Sequence, residues 1–251
     1  MIQFNSLIKT CSYLLHSSPQ AEECRSYLND RLSSEMQQEF GFGFFQLNLL
    51  KNFINEAELK TMGLLYSKEI ADANYAQSVS FSYFDQHPLI LPYRNVYGEV
   101  AAIVGRSLLS DTERTEQRVP KYKNTKFVKG NHLFGLFENK NAIRQANFVY
   151  VVEGQFDMIK AREKGLNNVI ALGSADMTAW QLSLICRFTN NLLLLLDNDE
   201  AGMKGRKRIK EKYGKLANIS NVFLPAGYKD LDSYLLENDA ETMSLISKDV
   251  Q

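Results

Sequence analysis

The sequence predicts an α/β domain built on a mostly parallel sheet, preceded by a small helical lobe and a mixed α/β segment. Three observations point that way. From residue 148 onward, short apolar runs alternate with longer stretches of helical spacing, the order expected when helices cover the faces of a parallel sheet. Two of those runs, Val149-Tyr150-Val151-Val152 and Leu192-Leu193-Leu194-Leu195-Leu196, are continuously apolar, as strands buried on both sides should be. Before residue 66 the apolar positions recur instead at helical spacing.

In chain order, residues 5–37 carry two helical stripes. Leu7, Ile8, Cys11, Leu14 and Leu15 form one, Tyr27, Leu28 and Leu32 begin the other, and Ser18-Pro19 separates them. Phe40-Gly41-Phe42-Gly43-Phe44-Phe45 reads as a tight turn or short strand. Residues 47–65 return to helical spacing, and residues 66–87 are polar and weakly patterned, a connecting loop. Pro88 to Val104 alternates as a hairpin with a break at Pro92, and Ser110 to Lys129 is a charged, irregular stretch. Strands are then expected at 149–152, 169–172, 192–196 and 219–224, with helices at 156–164, 178–188 and 201–213 between them. Thr178 suits an N-cap, Gly165 and Gly214 suit C′ positions, and Trp180 is assigned to the helix–sheet core.

Both continuous runs end on acid: Glu153-Gly154 after the first and Asp197-Asn198-Asp199 after the second. Side chains at the C-terminal ends of parallel strands face the crevice where open α/β sheets bind ligands. In an extended segment Asp197 and Asp199 point the same way while Asn198 points aside. A set of hard oxygen ligands suits Mg²⁺ or Mn²⁺, which share coordination with substrate phosphates.

Composition excludes little and narrows much. The chain has 251 residues, with Lys plus Arg and Asp plus Glu at 29 each, so bulk charge announces no polyanionic partner. The three cysteines, Cys11, Cys24 and Cys186, and the three histidines are scattered without ligand spacing, and no zinc site is expected. No apolar stretch approaches the roughly 20 residues of a membrane span, which favours no membrane partner and a reducing cytoplasmic setting as the default.

The order strand, Glu153-Gly154, Asp157, helix, Ala171-Leu172-Gly173-Ser174, helix, strand, Asp197-Asn198-Asp199-Glu200-Ala201-Gly202 resembles the TOPRIM domain of primases, topoisomerases and some nucleases. Upstream, Pro88-Leu89-Ile90-Leu91-Pro92-Tyr93-Arg94-Asn95, Gly105-Arg106, Pro120-Lys121-Tyr122-Lys123-Asn124, Phe127-Val128-Lys129-Gly130 and Leu133-Phe134-Gly135-Leu136-Phe137-Glu138 resemble successive blocks of the RNA-polymerase subdomain of DnaG-type primases. Tyr27-Leu28-Asn29-Asp30-Arg31 and Phe40-Gly41-Phe42-Gly43 are similar to its helical lobe. The chain is thereby identified with the DnaG-type primase core over roughly residues 10–240. The implied organisation is an N-terminal subdomain at 1–146, with a helical lobe at about 5–65 and a basic β-containing part at about 80–146, then a Rossmann-like TOPRIM domain at 147–240 and a tail at 241–251.

The resemblance implies a DNA-directed RNA primase acting on single-stranded DNA and ribonucleoside triphosphates with two or more Mg²⁺ or Mn²⁺ ions. Asp197 and Asp199 are then the principal metal ligands, and Glu153 is a further ligand or the general base. Asp157 keeps a family position, and Asp230 and Asp232 form the further acidic pair, whose simpler reading is a helix start. Arg106, Lys121, Tyr122, Asn124 and Lys129 would bind triphosphate and template, with Arg31 a weaker candidate. Lys204, Arg208 and Lys212 form a stripe read as a solvated face, with template contact as the alternative.

Several positions depart from the family pattern: Asn198 for glycine, Ser174 for threonine, Leu231 for proline, and Ala102-Ile103-Val104 where a second glycine is usual. Neither a cysteine-rich zinc domain nor a helicase-binding domain is expected within this sequence, which suggests a phage or mobile-element core, a subunit relying on a helicase or a separate template-binding partner, or an excised domain. The other readings are a TOPRIM nuclease and a non-catalytic replication adaptor. The nuclease leaves residues 88–138 unexplained, and retention of every matched acid counts against the adaptor.

Overall fold

The computed structural model describes residues 4–72, 75–239 and 248–249. It divides into two compact units, Met1–Tyr93 with Val100–Phe127, and Arg94–Glu99 with Val128–Gln251. Among the described residues no helix is long and apolar enough to cross a membrane.

In the first unit, α1 (Asn5–Ser17) buries Leu7, Cys11, Leu14 and Leu15, the stripe its spacing predicts. Ser18 turns the chain out, and its hydroxyl accepts from the Gln20 N–H as Pro19 opens a short 3-10 turn. Helices α2 (Glu22–Asn29) and α3 (Ser34–Phe40) follow, and β1 (Gly43–Phe44) supplies the short strand. The helical stretch expected at 47–65 is two short helices, α4 (Leu47–Leu50) and α5 (Glu56–Thr61). Asn55 starts the second by accepting from the Glu58 N–H at 2.8 Å.

The loop expected at 66–87 is largely a two-stranded ribbon, β2 (Leu65–Asp72) with β3 (Tyr75–Ser82), its turn residues 73–74 lying outside the described ones. Tyr66 and Phe81, opposite each other in the register, stay about half exposed. Leu65 is buried, but the face carrying Tyr66 and Phe81 covers no core, so no strong apolar alternation marks this end in the sequence. The hairpin then forms as expected from β4 (Leu89–Arg94) and β5 (Val100–Arg106), but Pro92 lies within β4 and does not break it. The register of β1 on β4 stops at Ile90, so Pro92 falls beyond that ladder. With β6 (Tyr122–Asn124) the sheet order is β1-β4-β5-β6. The stretch taken as irregular holds α6 (Asp111–Gln117), which buries no residue and is set by a Ser110–Glu113 capping box rather than by an apolar face.

The second unit holds α7 (Leu136–Ala146), β7 (Val149–Val152), α8 (Gln155–Glu163), β8 (Val169–Ala171), α9 (Ala179–Ile185), β9 (Asn191–Leu194), α10 (Glu200–Tyr213), β10 (Asn218–Val222), α11 (Leu231–Glu237) and β11 (Lys248–Asp249). The sheet order is β11-β10-β9-β7-β8. All pairings are parallel except β10 with β11. Apart from that pair, the expected tail at 241–251 lies outside the described residues. Val149, Val151, Ile170, Leu192 and Leu194 form the buried centre with Ile143, Leu182 and Ile209 from the helices. Helix α7 was not anticipated beyond its first residues.

Two expectations fail in this unit. Trp180 is 59% exposed, because α9 starts at Ala179 and buries Gln181, Leu182 and Ile185, which turns the preceding position outward. Gly214 closes α10 with φ −64° in the right-handed region, whereas Gly165 follows α8 with the expected positive φ of 89°.

Gly43 sits against α1 so closely that an added Cβ would lie 2.6 Å from the Cys11 Cβ and 2.8 Å from its carbonyl carbon. Gly43→Ala should destabilise the first unit by about 1–3 kcal/mol through overpacking. Thermal denaturation checks this, and an unchanged melting temperature would contradict the packing of β1 on α1.

Candidate active site: a crevice of carboxylates

The second unit gathers the acidic residues that the sequence singles out. Glu153 follows β7 and Asp197 follows the β9 run, on neighbouring parallel strands. The Asp197 N–H donates to Glu153 Oε1 at 3.2 Å, so the two strand ends are tied together. Asp199 caps α10, its Oδ1 accepting from the Gly202 N–H at 3.0 Å. Gly202 is required there, since a Cβ would meet the Asp197 carbonyl oxygen at 2.1 Å and Glu153 Oε1 at 3.0 Å.

Asp157 is buried on the first turn of α8 and serves two loops. Its Oδ2 accepts from the Gly154 N–H at 3.1 Å, and its Oδ1 accepts from the Asp232 N–H at 2.9 Å. Asp230 caps α11 through the Ser233 N–H at 2.9 Å, and Asp232 lies in that helix's first turn. The helix-start reading of this pair therefore describes its local geometry. The departure at Asn198 also acquires a physical account. Its side-chain amide donates to the carbonyls of Leu224 at 3.0 Å and Tyr228 at 3.2 Å, and its N–H donates to the Lys229 carbonyl at 2.7 Å. Asn198 thus binds the Asp197–Asp199 loop to the loop that carries Asp230.

Burial and, after it, neighbouring acids raise the proton affinity of Glu153, Asp157 and Asp197. Asp157 is pushed up to about 7, first by burial and then by Asp197, Asp230 and Asp232, against the Asp232 N–H bond that lowers it. Asp197 is pushed up to about 7 by burial, then by Glu153, Asp230 and Asp199. Glu153 is raised by burial and by Asp199, while the Asp197 N–H, Arg206 and Lys229 hold it down. Lys229 Nζ lies 3.9 Å from Asp199 Oδ2. The donors are all carboxylates, and their mutual repulsion is the electrostatic deficit a divalent cation relieves. Yet among the described residues no three potential ligands converge as a finished metal cage.

Arg206 escaped the sequence reading. It is 1% exposed, and its guanidinium donates to the carbonyls of Asp197 at 2.8 Å, Val222 at 3.3 Å and Leu196. Its Nε finds no partner, and its guanidinium carbon lies 4.8 Å from the Phe223 ring centre. The signal was present: Gly202, Gly205, Arg206, Ile209 and Tyr213 follow the buried stripe of α10, so a cation stands at a core position beside the acids. The stripe that was noticed, Lys204, Arg208 and Lys212, lies outside that buried set, with Lys204 paired to Glu200 and Arg208 Nε 3.7 Å from Asp176.

The cationic candidates fall into two groups. Lys129 belongs to the second unit, where its Nζ donates to the Gly173 carbonyl at 2.6 Å, beyond the end of β8. The others lie in the first unit. Arg106 and Tyr122 face each other across β5 and β6, with the guanidinium bonded to the phenol. The Arg106 and Arg31 guanidinium carbons each lie 4.8 Å from the Tyr27 ring centre. Lys121 lies 5.9 Å from the Tyr122 ring, and the Asn124 carbonyl accepts from the Tyr83 hydroxyl. Tyr27 is the member missed by sequence reading, although its spacing of four from Arg31 invited the pairing.

Known proteins resemble this chain in sequence and fold. The family described as DNA primase catalytic core, N-terminal domain, matches residues 11–140, and the family described as Toprim-like matches residues 150–235. The DNA primase of Aquifex aeolicus is 29% identical over 251 residues, 95% of this chain and 47% of its own length. That of Escherichia coli K12 is 32% identical over 205 residues, 77% of this chain and 33% of its own length. Among solved structures, the DnaG primase catalytic domain bound to ssDNA superposes with TM-score 0.76 at 28% identity, covering 96% of this chain and 78% of its own. The Aquifex aeolicus primase structure with zinc-binding and RNA polymerase domains gives TM-score 0.76 at 25% identity, with 96% and 60% covered. The chain spans less than half the length of these curated relatives.

Burial and, after it, carboxylate repulsion at Asp157 and Asp197 have a measurable sign. Between about pH 4 and 7 the folded protein holds more protons on Asp157 and Asp197 than the unfolded chain does, so rising pH lowers the unfolding free energy. In a chelator the chain should therefore melt lower at pH 8 than at pH 5. Asp197→Asn should flatten the difference and raise the pH 8 melting point, by roughly 2–4 °C for each kcal/mol of repulsion relieved. An unaltered pH slope in that variant would contradict the assignment.

Proposed function

This chain belongs to the DNA primase catalytic-core family, and on that premise we propose that it synthesises short RNA primers on single-stranded DNA during replication. The observation that carries the reading is the joining of Glu153, Asp197 and Asp199 at neighbouring strand ends in a chain whose residues 11–140 match the primase core. A nuclease use of the same acids leaves that match without a purpose.

The reaction joins a 3′-hydroxyl oxygen to the α-phosphorus of an incoming ribonucleoside triphosphate. The bond from that phosphorus to the bridging oxygen breaks, and pyrophosphate leaves. Catalysis of such a displacement is positioning and charge neutralisation. Asp197 and Asp199 are the residues that would hold two Mg²⁺ or Mn²⁺ ions, with Asp230 or Asp232 contributing from the adjoining loop. The ions supply charge neutralisation on the phosphates and on the attacking and leaving oxygens.

Glu153 would accept the hydroxyl proton or serve as a further ligand, and burial, then Asp199, raises its proton affinity. Asp157 keeps the Asp230–Asp232 loop in register through the Asp232 N–H. Arg206 fixes the Leu196 and Asp197 carbonyls so that the Asp197 carboxylate is presented without drift. Lys129, on the Gly173 loop, is the local cation for a phosphate. Arg31, Arg106, Lys121, Tyr122 and Asn124 form the proposed nucleic-acid-binding face of the first unit, where stacked guanidinium and phenol groups suit phosphate and base. The domain division at 146/147, a cytoplasmic setting and recruitment by a helicase or a separate template-binding subunit belong to the same proposal.

Purified chain with single-stranded DNA, labelled ribonucleotides and Mg²⁺ or Mn²⁺ should yield short template-dependent RNA. Asp199→Ala should reduce the product at least about 100-fold, as expected when a metal-ion ligand is removed. Degradation of the template would assign the acids to hydrolysis instead, and binding without product would leave an adaptor.

A further inference from the structure

Trp180 is the chain's one tryptophan, and its exposure on a helix of the second unit calls for an explanation. It lies on the wall of a cavity of about 300 Å³ shared with Val96, Tyr97, Asn131, Leu184 and Arg187. Tyr97, at the tip of the β4–β5 hairpin, is 69% exposed. The hairpin tip is rigid enough to present it: the Asn95 carboxamide accepts from the N–H groups of Tyr97 and Glu99 and donates to the Glu99 carboxylate. Two aromatic rings are therefore offered to solvent over an apolar floor that includes buried Leu133 and Leu136. No acid lines the cavity, and Arg187 on its rim has no ion-pair partner among the described residues.

The cavity is also tied to the carboxylate crevice by one turn of chain. Lys129–Asn131 form a 3-10 turn whose first residue bonds the Gly173 carbonyl and whose last lines the cavity. Gly130 between them accepts from the Thr178 hydroxyl, which caps the helix bearing Trp180. Lys129 and the Trp180 wall are thus joined through one short turn and the Thr178 cap.

We propose that this cavity is a stacking subsite for an unpaired nucleotide of single-stranded nucleic acid, with the base against Trp180 and Tyr97 and a phosphate on Arg187. Aromatic faces with a neighbouring guanidinium and no carboxylate make the combination that holds unpaired bases without reading sequence. A peptide dock of the same size would not call for an acid-free rim beside the phosphate-handling turn. The inference rests on the primase reading and adds to it a position for the strand outside the acids.

The single tryptophan makes the test direct. Short oligothymidylate is titrated into the full chain while Trp180 emission is followed, and anisotropy of a labelled oligothymidylate is measured in parallel. Saturable quenching with the same midpoint as the anisotropy is expected. Trp180→Ala should weaken binding at least about fivefold while Trp180→Phe retains most of it. Arg187→Gln should reduce the slope of log affinity against log salt by about 0.7. Binding by anisotropy with unchanged emission and an unaffected Trp180→Ala variant overturns the subsite and leaves the primase reading standing. Absence of any anisotropy change overturns both. Loss of a protein partner, rather than of oligonucleotide, in Trp180→Ala would make the cavity a protein dock and the proposal wrong.

Discussion

Carboxylates held together at the C-terminal ends of two parallel strands set the terms for the rest of the second unit. The strand pairing of β7 with β9 brings Glu153 and Asp197 side by side, and the Asp197 N–H bond to Glu153 fixes them there. Asp199, Asp157, Asp230 and Asp232 approach on the loops that follow. Like charges in a half-buried crevice repel, and the surroundings answer with fixed donors: backbone N–H groups on Glu153, Asp157, Asp199 and Asp230, and the buried Arg206 on the strand-end carbonyls. Burial, with the repulsion these donors leave uncompensated, displaces the proton affinities of Asp157 and Asp197 upward to about 7.

The local devices follow from that constraint. Gly202 is small because a Cβ there would lie 2.1 Å from the Asp197 carbonyl oxygen. Asn198 replaces a conformationally permissive residue with one that reaches across to the Asp230 loop, so the two acidic loops are joined by side-chain bonds. Asp199 and Asp230 each commit one carboxylate oxygen to a helix start.

Much of this was legible in the sequence, for identifiable reasons. Continuous apolar runs ending on acid fixed the strand ends, and the parallel sheet places those ends in one crevice whatever the loops do. Features without a burial signal were lost. The β2–β3 ribbon leaves Tyr66 and Phe81 exposed, and α6 buries nothing, so neither imprinted an apolar period. Trp180 was assigned to the core because size suggests burial, but the helix phase, set by the Thr178 cap, turns it outward. Arg206 was hidden by its neighbours: in a run of basic residues, only its register with Ile209 and Tyr213 marks it as interior. Tyr27 lies four residues from Arg31, a spacing visible in the sequence, but its contact with Arg106 comes from tertiary packing that no linear motif contains.

The central claim is that the crevice is an incomplete metal site that substrate phosphates finish. Mn²⁺ binding to the chain at pH 8, measured with and without a non-hydrolysable ribonucleoside triphosphate, addresses it most directly. The account predicts weak binding by the protein alone and affinity at least about tenfold tighter with the triphosphate present, each lost in Asp197→Asn. Equally tight binding without the triphosphate, or binding that survives Asp197→Asn, would contradict it.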